Sequence, residues 1–390
     1  IRSVYDWDGQ LKQKILPPQP MYSVNSQWYL RDANWFASFP QSASRISALY
    51  EKEGGETPDL IITLTPDVIL DMLERTGPIE LPQHGTTLTK ENFVEKTQEA
   101  TSITYDKQLN QPKQFLADFF PLLMERLGNS DTSESTGMMA FLEIFQQNLY
   151  KKHVLLFSRN ADIQKKISAF NWGGELRDTD RDYLSIVNSN LGGTKTDRAL
   201  QRSTNLKSQV DGDGTVTNTL TYTVKNPLPN SPGLTNKSFV RVYVPRGSNL
   251  ISTEGFNKDI QLPRLETEGY TLDEQVEAWQ KDLSQDVNTG TYTGTEAGKT
   301  WFGNWLEVPG GETKTVTIKY NLPYKLGNID RQSLLVQKQP GTQTGPISYE
   351  LSFSGRNSLW KSNSAQVEGA NLKYNQDLLA DTFIGIVLKK

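Results

Sequence analysis

The sequence predicts an α/β domain over residues 1–200 followed by a β-sandwich, immunoglobulin-like region over residues 201–390. Two observations carry this division. Up to about residue 200, segments with apolar residues at helical spacing alternate with short apolar runs bounded by turn residues. Beyond about Leu206 the period changes from helical to two, and Gly, Pro and Asn turns separate one short strand from the next. At 390 residues and 36% hydrophobic content the chain has material for two or three cores, since single domains usually run ~100–200 residues.

The elements follow in order. Ile1–Asp6 reads as a strand; because the chain opens inside it and without Met, an upstream signal or anchor is expected. Trp28–Phe36 reads as a buried strand end carrying the pair Arg31-Asp32, the kind of position at which α/β domains present polar groups. Pro40 opens a helix with Ala43, Ile46, Leu49 and Tyr50 on one face, closed by Gly54-Gly55. Asp59–Leu64 is an apolar strand, and Thr65-Pro66-Asp67 is a helix start in which a hydroxyl caps, Pro takes the first helical position and an acid faces the dipole. Thr89 caps a further helix to about Ala100. Pro112 starts an apolar helix that Pro121 should bend or split, because Pro lacks a donor.

After a polar linker at Gly128–Thr136 come a helix (Met138–Lys151), a strand (Val154–Ser158), a helix capped by Asn160 and stopped by Gly173-Gly174, and a strand at Tyr183–Asn188. That order predicts a three-layer α/β domain. The second region reads as strands around Leu220–Val224, Phe239–Val244, Val316–Tyr320, Leu334–Val336 and Tyr349–Phe353, interrupted by one inserted helix near 272–283. Asp211-Gly212-Asp213-Gly214 and Pro309-Gly310-Gly311-Glu312 supply turns between strands.

Composition narrows the chemistry. With 41 basic and 45 acidic residues, a net charge of -4 and no basic stripe, nucleic acid is excluded as an expected partner. The absence of cysteine removes disulfides, thiolate nucleophiles and cysteine metal sites, and His84 and His153 are the only histidines. Abundant Asn, Thr, Ser, Gln and Gly point to an extracytoplasmic protein. No run approaches the ~18 apolar residues of a membrane helix.

Several stretches carry a resemblance: Leu30–Trp35 with Phe39-Pro40, Asp59–Pro66, Thr76–Ile79, Asp182–Leu184 with Asn190–Lys195, and Val240–Ser248. Over most of residues 1–250 the chain resembles a bacterial surface-protein family known as a domain of unknown function, numbered four thousand and twelve. More distantly, the first domain resembles the LytR-CpsA-Psr family, extracytoplasmic enzymes that move glycan phosphates from polyprenyl carriers to the cell wall. The resemblance places Arg31-Asp32 at that family's Arg-Asp position and Lys113-Gln114 at its Arg-Gln position. It implies Arg31 on a pyrophosphate, Asp32 near a Mg²⁺ ion, and Lys107, Lys113 and Gln114 on the ligand. Neutralising a pyrophosphate calls for forked Arg donors and a carboxylate-held metal. Here Tyr105-Asp106-Lys107-Gln108 stands where the family has an Arg-rich strand, and Lys is a point charge with no fork.

Bland readings compete with these. Arg31-Asp32 is preferred as a structural ion pair. Asp211–Gly214 is preferred as a hairpin over a calcium loop, because the later ligands are missing. Asp178, Asp180 and Asp182 alternate so as to share a strand face, and solvation is their default role. Trp279, Trp301, Trp305 and Trp360 form a sugar platform or, more ordinarily, sandwich core. His84 receives no role. The leading expectation is a non-catalytic cell-surface protein, without cofactor or metal, that binds wall glycan or neighbouring surface proteins. The alternatives are a Mg²⁺-dependent glycan phosphotransferase and a self-assembling surface-layer or filament subunit, since open sheet edges accept strands.

Overall fold

The computed structural model describes residues 7, 9–102, 114–128, 134–258, 260, 262–343 and 345–390. The expected strand at Ile1–Asp6 and the Tyr105–Gln108 stretch lie outside them. The chain divides into two compact units, Ile1–Lys12 with Tyr29–Glu175, and Gln13–Trp28 with Leu176–Lys390. The division falls at Glu175 and not near residue 200.

In the first unit, helices α1 (Phe39–Lys52), α2 (Pro66–Thr76), α3 (Phe93–Ser102), α4 (Gln114–Gly128), α5 (Glu134–Tyr150) and α6 (Ala161–Ala169) accompany strands β1 (Leu60–Leu64), β2 (Ile79–Leu81), β3 (Thr86–Leu88) and β4 (Val154–Ser158). β1 and β4 pair antiparallel from Leu60 opposite Ser158 to Leu64 opposite Val154, and β2 and β3 form a hairpin. Among the described residues the expected three-layer sheet is thus a two-stranded ribbon carrying helices. One core gathers Val68, Ile69, Met72 and Leu73 of α2, Phe115, Phe119, Leu123 and Leu127 of α4, and Ile79, Leu81 and Leu88 of the hairpin. Leu60, Ile62 and Leu64 on the other face of β1 stand about half exposed.

Local expectations meet mixed outcomes here. Asn160 caps α6 by accepting from the backbone N–H groups of Asp162 and Ile163, at 3.0 and 3.1 Å. Thr65 does not cap α2; its hydroxyl lies 2.9 Å from His153 Nδ1, which draws it from the helix end. α4 runs through Pro121 without splitting. Pro121 is exposed, and the buried row Phe115, Phe119, Leu123, Leu127 continues on both sides of it, so packing outweighs the lost backbone bond.

The second unit is a two-layer β-sandwich. Its strands are β5 (Asp182–Asn190), β6 (Gln201–Val210), β7 (Thr215–Lys225), β8 (Asn236–Pro245), β9 (Asn249–Glu254), β10 (Ser284–Gln285), β11 (Tyr292–Glu296), β12 (Lys299–Val308), β13 (Thr313–Lys325), β14 (Ile329–Gln337), β15 (Pro346–Ser352), β16 (Asn357–Lys361), β17 (Gln366–Glu368), β18 (Asn371–Asp377) and β19 (Thr382–Lys389). One sheet runs β10-β11-β12-β8-β5-β14-β19-β16, the other β17-β18-β15-β6-β7-β13-β9. β5, which the sequence assigned to the α/β domain, pairs with β8 and β14 on its two sides, and those two ladders tie it to this unit. Period-two alternation aims Val240, Val242, Phe302, Leu306 and Ile384 of the first sheet at Leu206, Leu220, Ile318, Leu351 and Leu372 of the second.

The inserted helix is α7 (Glu274–Gln280), capped by Asp273 accepting from Gln275 and Val276 N–H. The segment Gln13–Trp28 joins this unit through Ile15 bridging Thr271 and Gln19 N–H donating to Gln280 Oε1 at 2.9 Å. No helix among the described residues is long and apolar enough to cross a membrane.

Candidate functional site

Arg31 and Asp32 do not end a strand. They sit in a single 3-10 turn, Leu30–Asp32, closed by Asp32 N–H to Tyr29 O and Ala33 N–H to Leu30 O. Asp32, Ala33 and Asn34 are poor strand formers, which favours the turn. Arg31 Nε lies 3.5 Å from Asp32 Oδ2, and its guanidinium carbon lies 4.2 Å from the centre of the Tyr29 ring. The cation is held by its own neighbours. Asp32 offers one carboxylate, and among the described residues no set of three His, Asp or Glu converges as a Mg²⁺ site would need.

Lys107 and Lys113 lie outside the described residues. Gln114 opens α4, where its Nε2 donates to Asp118 Oδ1 at 2.7 Å. Asp118 Oδ2 in turn meets His84 Nε2 at 2.8 Å, and the His84 hydrogen bond is the chief influence holding that carboxyl below its usual range. His84, given no role by the sequence, also packs edge-on against Phe115. The trio braces the β2–β3 turn against α4. It is stabilising geometry and leaves Gln114 already engaged.

The three aspartates expected on one face go three ways, because β5 begins only at Asp182. Asp178 pairs with Lys299 at 3.4 Å, Asp180 with Arg331, and Asp182 turns inward. There Asp182 accepts from Asn218 Nδ2 and from Tyr183 N–H, both at 2.8 Å. Burial pushes its carboxyl up to about 7. Asp213 of the β6–β7 hairpin is taken by Lys325 at 2.5 Å and by Thr215.

Of the four tryptophans, three are core. Trp279 of α7 stacks on Trp301 at 5.3 Å between ring centres, and Trp305 packs against Phe239. Glu296 is buried below them, accepting from Tyr243 OH at 2.5 Å and Trp279 Nε1 at 2.9 Å, with Arg241 Nη1 at 3.4 Å. Trp360 alone of the four is exposed, at 54%.

The second unit also carries depressions that were not read from the sequence, two of which bear on ligand binding. One lies between the sheets, near their parallel pairs β5–β14 and β6–β15, lined by Asn188, Arg202, Tyr222, Gln339 and Thr342. Its volume is about 70 Å³, room for a couple of waters. The other, about 470 Å³, falls in the range of small-molecule sites and lies on the outer face of the seven-stranded sheet. Its lining includes Lys207, Gln209, Asp211, Thr217, Lys319 and Glu350. Register explains this face: Thr219 stands between Lys319 and Lys207, Lys207 is opposite Glu350, and the next rows align Thr317-Thr221-Asn205-Ser348 and Asn321-Thr217-Gln209-Ser352. Every one of these outward positions carries a hydroxyl, amide or charge. The two lysines stand two strand spacings apart, about 10 Å. Lys207, Lys319 and Glu350 take part in no ion pair among the described residues. The signal was present in the Thr-X-Thr-X-Thr run of β7, which reads as any solvent-facing strand until its neighbours are aligned.

Residues 9–101 match the family described as "Protein of unknown function (DUF4012)". The later motifs at Asp182–Lys195 and Val240–Ser248 lie beyond that match. No curated protein matches the chain. Among solved structures, a putative nutrient binding protein from Legionella pneumophila is similar at 12% identity, covering 54% of this chain and 71% of that one, with a TM-score of 0.29. An M1 zinc metallopeptidase from Deinococcus radiodurans is similar at 9% identity, covering 49% of this chain and 42% of that one, with a TM-score of 0.19. A putative protease from Parabacteroides distasonis is similar at 8%, 49% and 40%, with a TM-score of 0.19.

Proposed function

We propose, for a chain whose residues 9–101 match the DUF4012 family, a non-catalytic role at the bacterial cell surface, binding wall glycan through the outer face of the seven-stranded sheet. One observation carries the reading. A 470 Å³ groove is lined by hydroxyls, amides, two lysines outside any ion pair among the described residues, and the carboxylates of Asp211 and Glu350, a surface suited to a hydrated polyol. The cysteine-free, Asn- and Thr-rich composition supports an extracytoplasmic setting. On this reading the first unit is a scaffold related to the LytR-CpsA-Psr fold, and the second enlarges an immunoglobulin-like sandwich.

The electrostatics of Arg31 favour binding over phosphoryl transfer. A pyrophosphate would have to displace both Asp32 and the Tyr29 ring from the guanidinium, and no set of three His, Asp or Glu among the described residues converges to hold a metal there. The test is turnover of a polyprenyl-pyrophosphate glycan with and without Mg²⁺. No phosphate release is expected in either condition. Mg²⁺-dependent release that disappears in Arg31→Ala would replace this reading with the phosphotransferase one.

A further inference from the structure

Trp360 reaches the outer face of the eight-stranded sheet through a local irregularity. β16 is the edge strand, paired only with β19, and the register slips by one residue between Ser358 and Trp360. Ser358 stands opposite Leu388, whose side chain belongs to the core, and Trp360 stands opposite Val387. Without the bulge Leu359 would face Val387 and Trp360 would turn toward the interior. Bulges at sheet edges re-aim a side chain in this way. Gly385 lies beside it on the same face. A Cβ there would stand 3.3 Å from the Trp360 ring and 3.1 Å from the Phe383 ring, so both rings lie close over the glycine.

The rings cover Gly385, which is buried, yet each keeps about half its own surface in water, 54% for Trp360 and 55% for Phe383. Polar groups border them. Across the ladder, Arg331 is opposite Val387 and Ser333 opposite Gly385, and Arg331 is paired with Asp180. An apolar step with hydrogen-bonding groups along one side matches the two characters of a sugar ring, a C–H face and a rim of hydroxyls. Size argues the same way. Two half-exposed rings offer roughly 200 Å², against about 800 Å² per partner in a stable protein interface.

We infer that Trp360 and Phe383, set over Gly385 with Arg331 and Ser333 beside them, form a stacking subsite for one pyranose ring of a glycan. The inference rests on the glycan-binding reading and adds a second contact point, on the other sheet from the lysine groove. Here the sugar is recognised by its C–H face and not by charge.

The test is titration of the full chain with a soluble β-1,4-linked N-acetylglucosamine tetramer, followed by intrinsic fluorescence and calorimetry, beside co-sedimentation with purified wall sacculi. Trp360→Ala and Phe383→Ala are each expected to weaken tetramer binding about three- to tenfold, while Trp360→Phe, which keeps a ring over Gly385, stays near wild type. Equal thermal midpoints for Trp360→Phe and wild type keep the comparison clear of folding. Wild-type affinity in both alanine variants would overturn the subsite while leaving groove binding of sacculi intact. Failure of the wild-type chain to bind either tetramer or sacculi would overturn the subsite together with the reading it rests on. A self-associated form that Trp360→Ala dissolves, without any tetramer binding, would overturn it in favour of a second copy on this face.

Discussion

Glu296 shows how much of the second unit hangs on single side chains. Its Oε2 accepts from Tyr243 OH and Trp279 Nε1 and faces Arg241, all buried, so one carboxylate ties α7 to β8 and β11. Removing it leaves a buried cation and two orphaned donors. Glu296→Ala should therefore cost about 3–5 kcal/mol, read as a lowered urea midpoint, and an unchanged midpoint would show that water replaces the carboxylate. Asp182 carries a different signature. Its neighbours across the core are Asn218, Tyr320, Tyr324 and Tyr349, and among the described residues no cation is paired with it, so burial raises its carboxyl to about 7. Between its ordinary value near 4 and that raised value, the folded state holds a proton that the unfolded state has released. Stability should then fall as pH rises from about 4 to about 7, by about 4 kcal/mol in total, and level off above. Asp182→Asn should flatten that slope; a slope that persists would assign it to other groups. The sequence did not single out Glu296, and it picked out Asp182 only as one of three alternating aspartates, because burial and convergence, not residue type, set their behaviour.

At the scale of elements, the sequence was readable wherever local chemistry decides. The Asn160 cap, the Asp211–Gly214 hairpin and the period-two strands of the sandwich follow from side-chain bonding, positive φ at Gly214 and alternation. It was unreadable where a distant partner intervenes. Thr65 gives its hydroxyl to His153, 88 positions away, and Arg31-Asp32 closes a turn on Tyr29 in place of a strand. Pro121 is the clearest conflict between local and tertiary terms. The helix persists across it because its buried face is continuous, while Pro121 itself is exposed and contributes no packing. Pro121→Ala should restore the missing backbone bond and raise stability by about 1–3 kcal/mol, measured by chemical denaturation; a loss of stability would mean that the proline itself is needed for packing.

At the scale of the whole chain, the change of period near residue 200 announced two unlike units but misplaced their border by some two dozen residues. β5 looks like any buried strand, and only its ladders to β8 and β14 assign it. The candidate site was less legible than the fold. Of the residues that family resemblance singled out, Arg31, Asp32 and Gln114 are engaged locally, while the polar groove arises from register across four strands that no stretch of sequence displays. The measurement that tests this account most directly is co-sedimentation of the chain with purified sacculi, wild type against the double variant Lys207→Ala/Lys319→Ala, across a range of salt. The account predicts saturable binding that weakens with salt and falls about tenfold or more in the double variant, with thermal stability unchanged. Binding indifferent to both lysines, or no binding at all, would contradict it.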